Sequence, residues 1–212
     1  MMPFKYSCFI SYCHGQYDLV NAFIEQIKEA LQCSIESYSD QEVYIDERLG
    51  PGYHYNEELA QAICQSTCMI VIFTPRYKSH SYCLREYIAM ERLEKKRLEL
   101  LADKSNNMGM IIPIIFRGDE SDIPPRIRDC IHYYDFRDFA LSTLEIKRNP
   151  KYEPEIEKIA KIIHRFSKLF KEQNINPCEC DSFKLPSERE IESESWGEKS
   201  SNSFPPFPGR EV

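Results

Sequence analysis

The chain has 212 residues, of which 42% are hydrophobic, and a formal net charge of −7. That length holds one domain with a buried core and room for an appendage. The acidic balance is opposite to the basic footprint of a nucleic-acid binder, so direct nucleic-acid contact is not expected.

Tyr6-Ser7-Cys8-Phe9-Ile10-Ser11 reads as a short, mostly apolar strand of the kind buried on both faces. A polar loop from Tyr12 to Tyr17 follows. Asp18 then caps a helix in which Val20, Phe23, Ile24, Ile27 and Leu31 recur at helical spacing. Glu42-Val43-Tyr44-Ile45 is the next strand. It runs into Asp46-Glu47-Arg48-Leu49-Gly50-Pro51-Gly52, where Gly and Pro crowd into an ordered turn. Tyr55 to Gln65 reads as a helix with Leu59, Ala62 and Ile63 inward. Met69-Ile70-Val71-Ile72-Phe73 is an unbroken apolar run suited to the centre of a parallel sheet.

Thr74 to Ser81 is a polar loop, with Ser81 as cap of a helix from Tyr82 to Leu100 whose inner positions are Leu84 and Ile88. Gly109 to Phe116 is the fourth strand. Pro113 inside it removes a ladder donor and implies an irregularity or a local edge. Asp122-Ile123-Pro124-Pro125 starts a short helical turn, and Ile131 to Phe136 is the fifth strand. Glu153 to Phe170 is a long helix with Ile156, Ile159, Ile163, Phe166 and Phe170 on one stripe. Strands alternating with helices mean a parallel sheet wrapped on both faces, so the fold class is α/β. The domain is expected over residues 4–173. Beyond it Ser, Glu, Pro, Gly and Asn dominate, and Phe183, Trp196, Phe204 and Phe207 are isolated. Residues 174–212 therefore read as a polar, mostly disordered tail, dispensable for the fold, with room for one docked aromatic.

The start of the chain, Met1 to Tyr6, has no basic segment leading into an apolar stretch and a cleavage site, so no secretory leader is expected. The longest apolar run, Cys68 to Phe73, is far short of the roughly 18 residues that mark a spanning helix, and a cytoplasmic location is expected. The nine cysteines are odd in number and scattered, which argues against a disulfide framework. Cys8, Cys64, Cys68 and Cys130 lie in apolar patterns and read as small buried hydrophobes of a reducing compartment. Cys178 and Cys180 lie together in polar sequence. A metal needs more ligands than this pair, and no nearby His or Cys completes a site, so no metal is expected. The loop after the first strand has only Gly15, not a glycine-rich phosphate cradle, which excludes a Rossmann dehydrogenase. No acidic pair follows that strand, as a receiver domain would need.

Three segments, in order and in matching settings, carry a resemblance. Phe9-Ile10-Ser11-Tyr12 resembles the first box of Toll/interleukin-1 receptor (TIR) domains. Asp46 to Gly52 resembles their second box, the BB loop. Ser81-Tyr82-Cys83-Leu84-Arg85-Glu86 resembles the helix start that carries the glutamate of enzymatic members. The resemblance covers residues 4 to 170 and implies a flavodoxin-like three-layer fold with a five-stranded parallel sheet. The family includes non-enzymatic adaptors. It also includes enzymes that split NAD+ at the nicotinamide glycosidic bond, some of them in bacterial antiviral defence, where they deplete NAD+ or make a cyclic or modified ADP-ribose signal. Glu86 favours the enzymatic branch; a non-enzymatic adaptor or host-mimicking interaction module is the alternative. Two departures stand out: Tyr82 replaces the usual Trp, and the Phe-Trp third box near the last helix is absent.

The resemblance implies Glu86 as the catalytic residue and Phe9, Ser11, Tyr12, Arg48 and Tyr82 as contacts to NAD+, which would be substrate, with no cofactor. It also implies a homo-oligomer formed through the 46–52 loop, with an upstream sensor or downstream effector protein as a further partner. The chemistry is economical. Ordinary glycosides need two carboxylates, but the pyridinium of NAD+ leaves as neutral nicotinamide and needs no proton donor. One carboxylate can orient a ribose hydroxyl and stabilise positive charge developing at the anomeric carbon. Tyr82, one turn before Glu86 on the same helix face, can stack on nicotinamide or wall the pocket. Arg48 can meet a phosphate or a neighbouring subunit. His14 and His132 carry no partner pattern and are not read as bases.

Overall fold

Strands buried on both faces must lie inside a sheet, and the two longest such runs do. In the computed structural model, which describes residues 4–14, 18–46, 55–101, 109–129, 131–141, 149–177, 180–192 and 196, β1 (Tyr6–Tyr12) and β3 (Ser66–Phe73) pair with each other at the centre. With β2 (Glu42–Ile45), β4 (Ile111–Ile115) and β5 (Tyr134–Asp135) they form a five-stranded, all-parallel sheet in the order β2-β1-β3-β4-β5. This is the flavodoxin-like order. The helices are α1 (Asp18–Glu36), α2 (Tyr55–Cys64), α3 (Ser81–Glu99), α4 (Pro125–Arg128), α5 (Tyr152–Glu172) and α6 (Glu188–Glu192).

The order dictates the layers. The chain steps one way from β1 to β2, then back across β1 to β3 and onward to β5. Right-handed crossovers therefore put α1 on one face and α2, α3 and α4 on the other. Accordingly α1 packs on α5, and α2 packs on α3. No described helix is long and apolar enough to cross a membrane.

Two local expectations change, and Pro113 falls where the sequence allowed a local edge. The fifth strand is two residues long rather than six. At this sheet edge β4 offers it only Ile114 and Ile115 as partners, and Tyr133 instead turns its hydroxyl to Glu120 at 2.9 Å. Pro113 pairs with Val71 of β3, while pairing with β5 begins only at Ile114, so the proline's missing donor falls at a locally open stretch. The N-cap of α3 is His80, and Ser81 is the first helical residue, with no side-chain cap.

The expected structureless tail needs a larger correction. α5 ends in a Schellman turn: Asn174 takes the left-handed conformation at φ 53°, and the Ile175 N–H donates back to the Phe170 carbonyl at 2.8 Å. From Cys180 to Glu192, and at Trp196, the chain forms a strap over α3. Cys180, Leu185 and Ile191 are buried, and α6 packs on α3. The Arg85 Nε–H donates to the Pro186 carbonyl at 2.5 Å, and Arg92 pairs with Glu190 at 3.1 Å. The Trp196 ring lies 5.0 Å from that of Tyr87 and 5.6 Å from that of Tyr77. Cys64 at the end of α2 is disulfide-bonded to Cys180, so neither is the free thiol expected from spacing. The strap escapes a periodicity search because its apolar residues dock singly, along irregular backbone, and repeat at no helical or strand interval. Residues 197–212 lie outside the described residues.

Candidate functional site

In open parallel sheets, ligands bind at the carboxyl ends of the strands where the strand order reverses. Here that point lies between β1 and β3. Strand alternation turns Ser11, near the end of β1, toward the α3 side. The connection from β3 passes through a 3₁₀ turn, Tyr77–Ser79, and enters α3, whose first two turns bring Glu86 back against β1. The Ser11 hydroxyl donates to Glu86 Oε2 at 2.5 Å and lies 2.7 Å from the Tyr77 hydroxyl. Tyr77 also approaches the Cys83 carbonyl, at 3.4 Å. The shorter contact assigns the Tyr77 proton to Ser11 and the Ser11 proton to Glu86, a relay of donors aimed at one carboxylate.

Glu86 is only 5% exposed. Burial opposes its charge, and nearby Asp46 adds to that effect. The Ser11 hydrogen bond and the Arg85 guanidinium work the other way, and the carboxyl ends pushed up to about 8. Asp46, just past β2, is buried and accepts the Tyr55 hydroxyl as well as a hydrogen bond with His14 Nε2 at 3.1 Å. Burial and Asp46 together push the Tyr55 hydroxyl well up. The Tyr55 ring stands edge-on to Tyr82 at 5.9 Å, and the Arg85 guanidinium lies 5.0 Å from the Tyr82 ring. Tyr82 is thus a half-buried wall between α2 and the strap.

The site residues read from sequence separate into groups. Glu86 and Ser11 are in direct contact, and Tyr82 borders them. Phe9 lies beneath the site, wholly buried and stacked on Tyr44 at 5.4 Å, so it forms floor rather than open wall. Tyr12 was expected to share a cleft with Ser11. The two leave β1 on opposite faces, and Tyr12 instead packs on the His14 ring at 4.4 Å. Arg48 lies outside the described residues, as do 47–54 as a whole. Asp46 binds the side chains of Tyr55 and His14. Tyr77 and Tyr55 escaped sequence reading. Nothing at their positions signals the site, because both reach it from distant elements. Among the described residues no group of three or more His, Cys, Asp or Glu is arranged to hold a metal.

The family model for the TIR domain matches residues 8–146, which contain most of β1, all of β2 to β5, Ser11 and Glu86. The chain belongs to the TIR domain family. This TIR domain is also similar to the Arabidopsis thaliana protein SUPPRESSOR OF npr1-1, CONSTITUTIVE 1, at 28% identity over 119 residues. That match takes in 56% of this chain and 7% of the plant protein. Among solved structures, the activated Roq1 resistosome directly recognizing the pathogen effector XopQ (TIR domains) aligns at 18% identity. The alignment covers 82% of this chain and 94% of that one, with a TM-score of 0.41. The strap of this TIR domain lies beyond the stretch that the family model matches.

The Glu86 shift has a thermodynamic consequence. Its proton is held more tightly in the folded state than at the ordinary value of 4.5, so folding takes up a proton between that pH and about 8. The contribution to stability is complete below the lower value and is lost as pH rises through the upper one. The melting temperature of the TIR domain is expected to fall across this window, relative to Glu86→Gln, by on the order of 5 °C. Superimposable melting profiles of the two proteins from acid to alkaline pH would refute the assignment.

Proposed function

We propose that this TIR domain cleaves NAD+ at its nicotinamide glycosidic bond, with Glu86 as the catalytic carboxylate. The observation that carries this reading is the Glu86 carboxylate at the switch point of the sheet, 5% exposed and held by Ser11 at 2.5 Å. Nicotinamide leaves without protonation, so one carboxylate supplies what the reaction requires: a hold on a ribose hydroxyl and negative charge against the developing sugar cation. Burial pushes the carboxyl up to about 8, so it keeps its proton near neutral pH. The positive pyridinium of an entering NAD+ favours the ionised form, so substrate binding and proton release are coupled. Ser11 and Tyr77 act as positioning residues, and Tyr82 supplies a flat apolar surface for the nicotinamide ring.

The released ADP-ribosyl carbon passes to water, to a group of the same molecule or to another nucleophile. The outcome is NAD+ depletion or a nucleotide signal, of the kind that serves antiviral defence. Such a closed pocket requires opening, and assembly between copies through the 46–52 loop is the proposed trigger, with an upstream sensor or downstream effector as a further partner. Leu49 is the apolar residue in a loop otherwise made of charged and turn residues.

Nicotinamide release from NAD+, followed over a hundredfold range of protein concentration, tests both parts. Specific activity is expected to climb with concentration by about tenfold or more, and Leu49→Asp is expected to hold it at the dilute value. Constant specific activity in both proteins would remove assembly. No nicotinamide at any concentration would leave the non-enzymatic interaction module.

A further inference from the structure

Cys13 follows Ser11 by two residues, and Cys83 precedes Glu86 by three. Strand alternation puts Cys13 on the same side of the β1 end as Ser11. Helical spacing puts Cys83 on the same face of α3 as Glu86. The packing that brings the Ser11 hydroxyl to the Glu86 carboxylate therefore brings the two cysteines to adjoining positions, where each thiol is the largest influence on the other's ionisation. Cys83 is 2% exposed and closed in, whereas Cys13 keeps 7% at the mouth of the strand end.

We propose that Cys13 and Cys83 are a redox-active dithiol at the rim of the Glu86 pocket, a modification site that a small-molecule disulfide converts to an intramolecular Cys13–Cys83 bond. The electrostatics suit the two roles. The hydrogen bond from Cys83, together with the positive charge of Arg76 and the nearby His14, outweighs burial and brings the Cys13 thiol down to about 6. The same hydrogen bond, with burial, drives Cys83 well up. Of the two, Cys13 is thereby the readier thiolate and Cys83 the thiol that keeps its proton.

The exchange proceeds in two balanced steps. The Cys13 thiolate attacks one sulfur of the reagent disulfide, the reagent S–S bond breaks, and one reagent thiolate leaves and takes a proton from solvent. Cys83 then gives up its proton to solvent and attacks Cys13 Sγ of the mixed disulfide, expelling the second reagent thiolate, which is protonated in turn. Two protein thiols are oxidised by two electrons, and the reagent is reduced to two thiols. The new bond ties the end of β1 to the first turn of α3, three residues ahead of Glu86.

The other described thiols provide internal contrasts. Cys8 and Cys68 are also neighbours, across β1 and β3, but both are wholly buried, and burial pushes Cys8 up to about 12. Cys33 is exposed on α1 and is a single thiol.

The experiment treats the full-length folded protein with excess glutathione disulfide at neutral pH, quenches in acid, alkylates under denaturing conditions and maps unreduced peptides by mass spectrometry. The expected product is a Cys13–Cys83 linked peptide, two hydrogens lighter than the sum of its halves, alongside a glutathione adduct on Cys33 that proves the reagent active. Cys83→Ser is expected to stop at a glutathione adduct on Cys13. Recovery of Cys13 and Cys83 as separate peptides from the wild-type protein, alkylated or singly glutathionylated, while Cys33 has reacted, would overturn the proposal. The readout is a sulfur–sulfur bond, so a protein that never releases nicotinamide answers the question equally well.

Discussion

Glu86→Gln is expected to lower nicotinamide release from NAD+ by roughly 10³-fold while leaving the fold intact. The substitution preserves side-chain length and leaves an oxygen that can still accept the Ser11 hydroxyl, now at 2.5 Å from Glu86 Oε2. What it removes is the negative charge facing the sugar cation, and single preorganised electrostatic contacts at such centres contribute about 10²–10³ in rate. The buried setting raises the stake, because a charge works harder where water is excluded. Circular dichroism and thermal melting establish that the variant is folded. Since burial makes the carboxyl resist ionisation, the Gln variant should melt no lower than the wild-type protein at alkaline pH, which separates loss of chemistry from loss of structure. A folded Gln variant that releases nicotinamide within a factor of ten of the wild-type rate would end the catalytic assignment.

The second large effect concerns the strap. Truncation after Asn176 is expected to lower the melting temperature by on the order of 10 °C. The cut removes a disulfide that joins residues 116 apart, a link of a kind whose loss costs about 2–5 kcal/mol in small domains. It also uncovers the α3 surface under Leu185 and Ile191, and each such side chain contributes roughly 1.5–3 kcal/mol when fully buried. Losses of several kcal/mol at about 2–4 °C each, the usual conversion for a chain of this size, give that magnitude. Cys180→Ser alone should produce part of the drop, since the apolar contacts and the Arg85 to Pro186 hydrogen bond remain. Scanning calorimetry of the three proteins measures this directly. An unchanged transition in the truncated protein would mean that the strap contributes nothing to the domain.

Both predictions rest on contacts of a kind that sequence reading reaches unequally. The parallel sheet was legible because a strand buried on both faces must be apolar at every position, and Met69 to Phe73 records that demand within a single short window. The amphipathic helices were legible for a similar reason: α5 repeats its buried residues, Ile156, Ile159, Ile163, Phe166 and Phe170, at the interval of its own turn. Glu86 and Ser11 were legible through the resemblance, each inside a short motif.

Tertiary structure alone decided what those residues touch. Ser11 meets Tyr77 and Glu86 across 66 and 75 residues, and only the order in which the chain crosses the sheet brings β1 against the start of α3. The upward push on Glu86 comes from burial by those same elements, a property of the assembled pocket and not of any local pattern. The strap and its Cys64–Cys180 bond are further cases, with single apolar side chains and one distant cysteine docking on a surface completed elsewhere. Periodicity registers the geometry of one element, whereas a contact between elements depends on where separate segments come to rest, and composition in either segment leaves that undetermined.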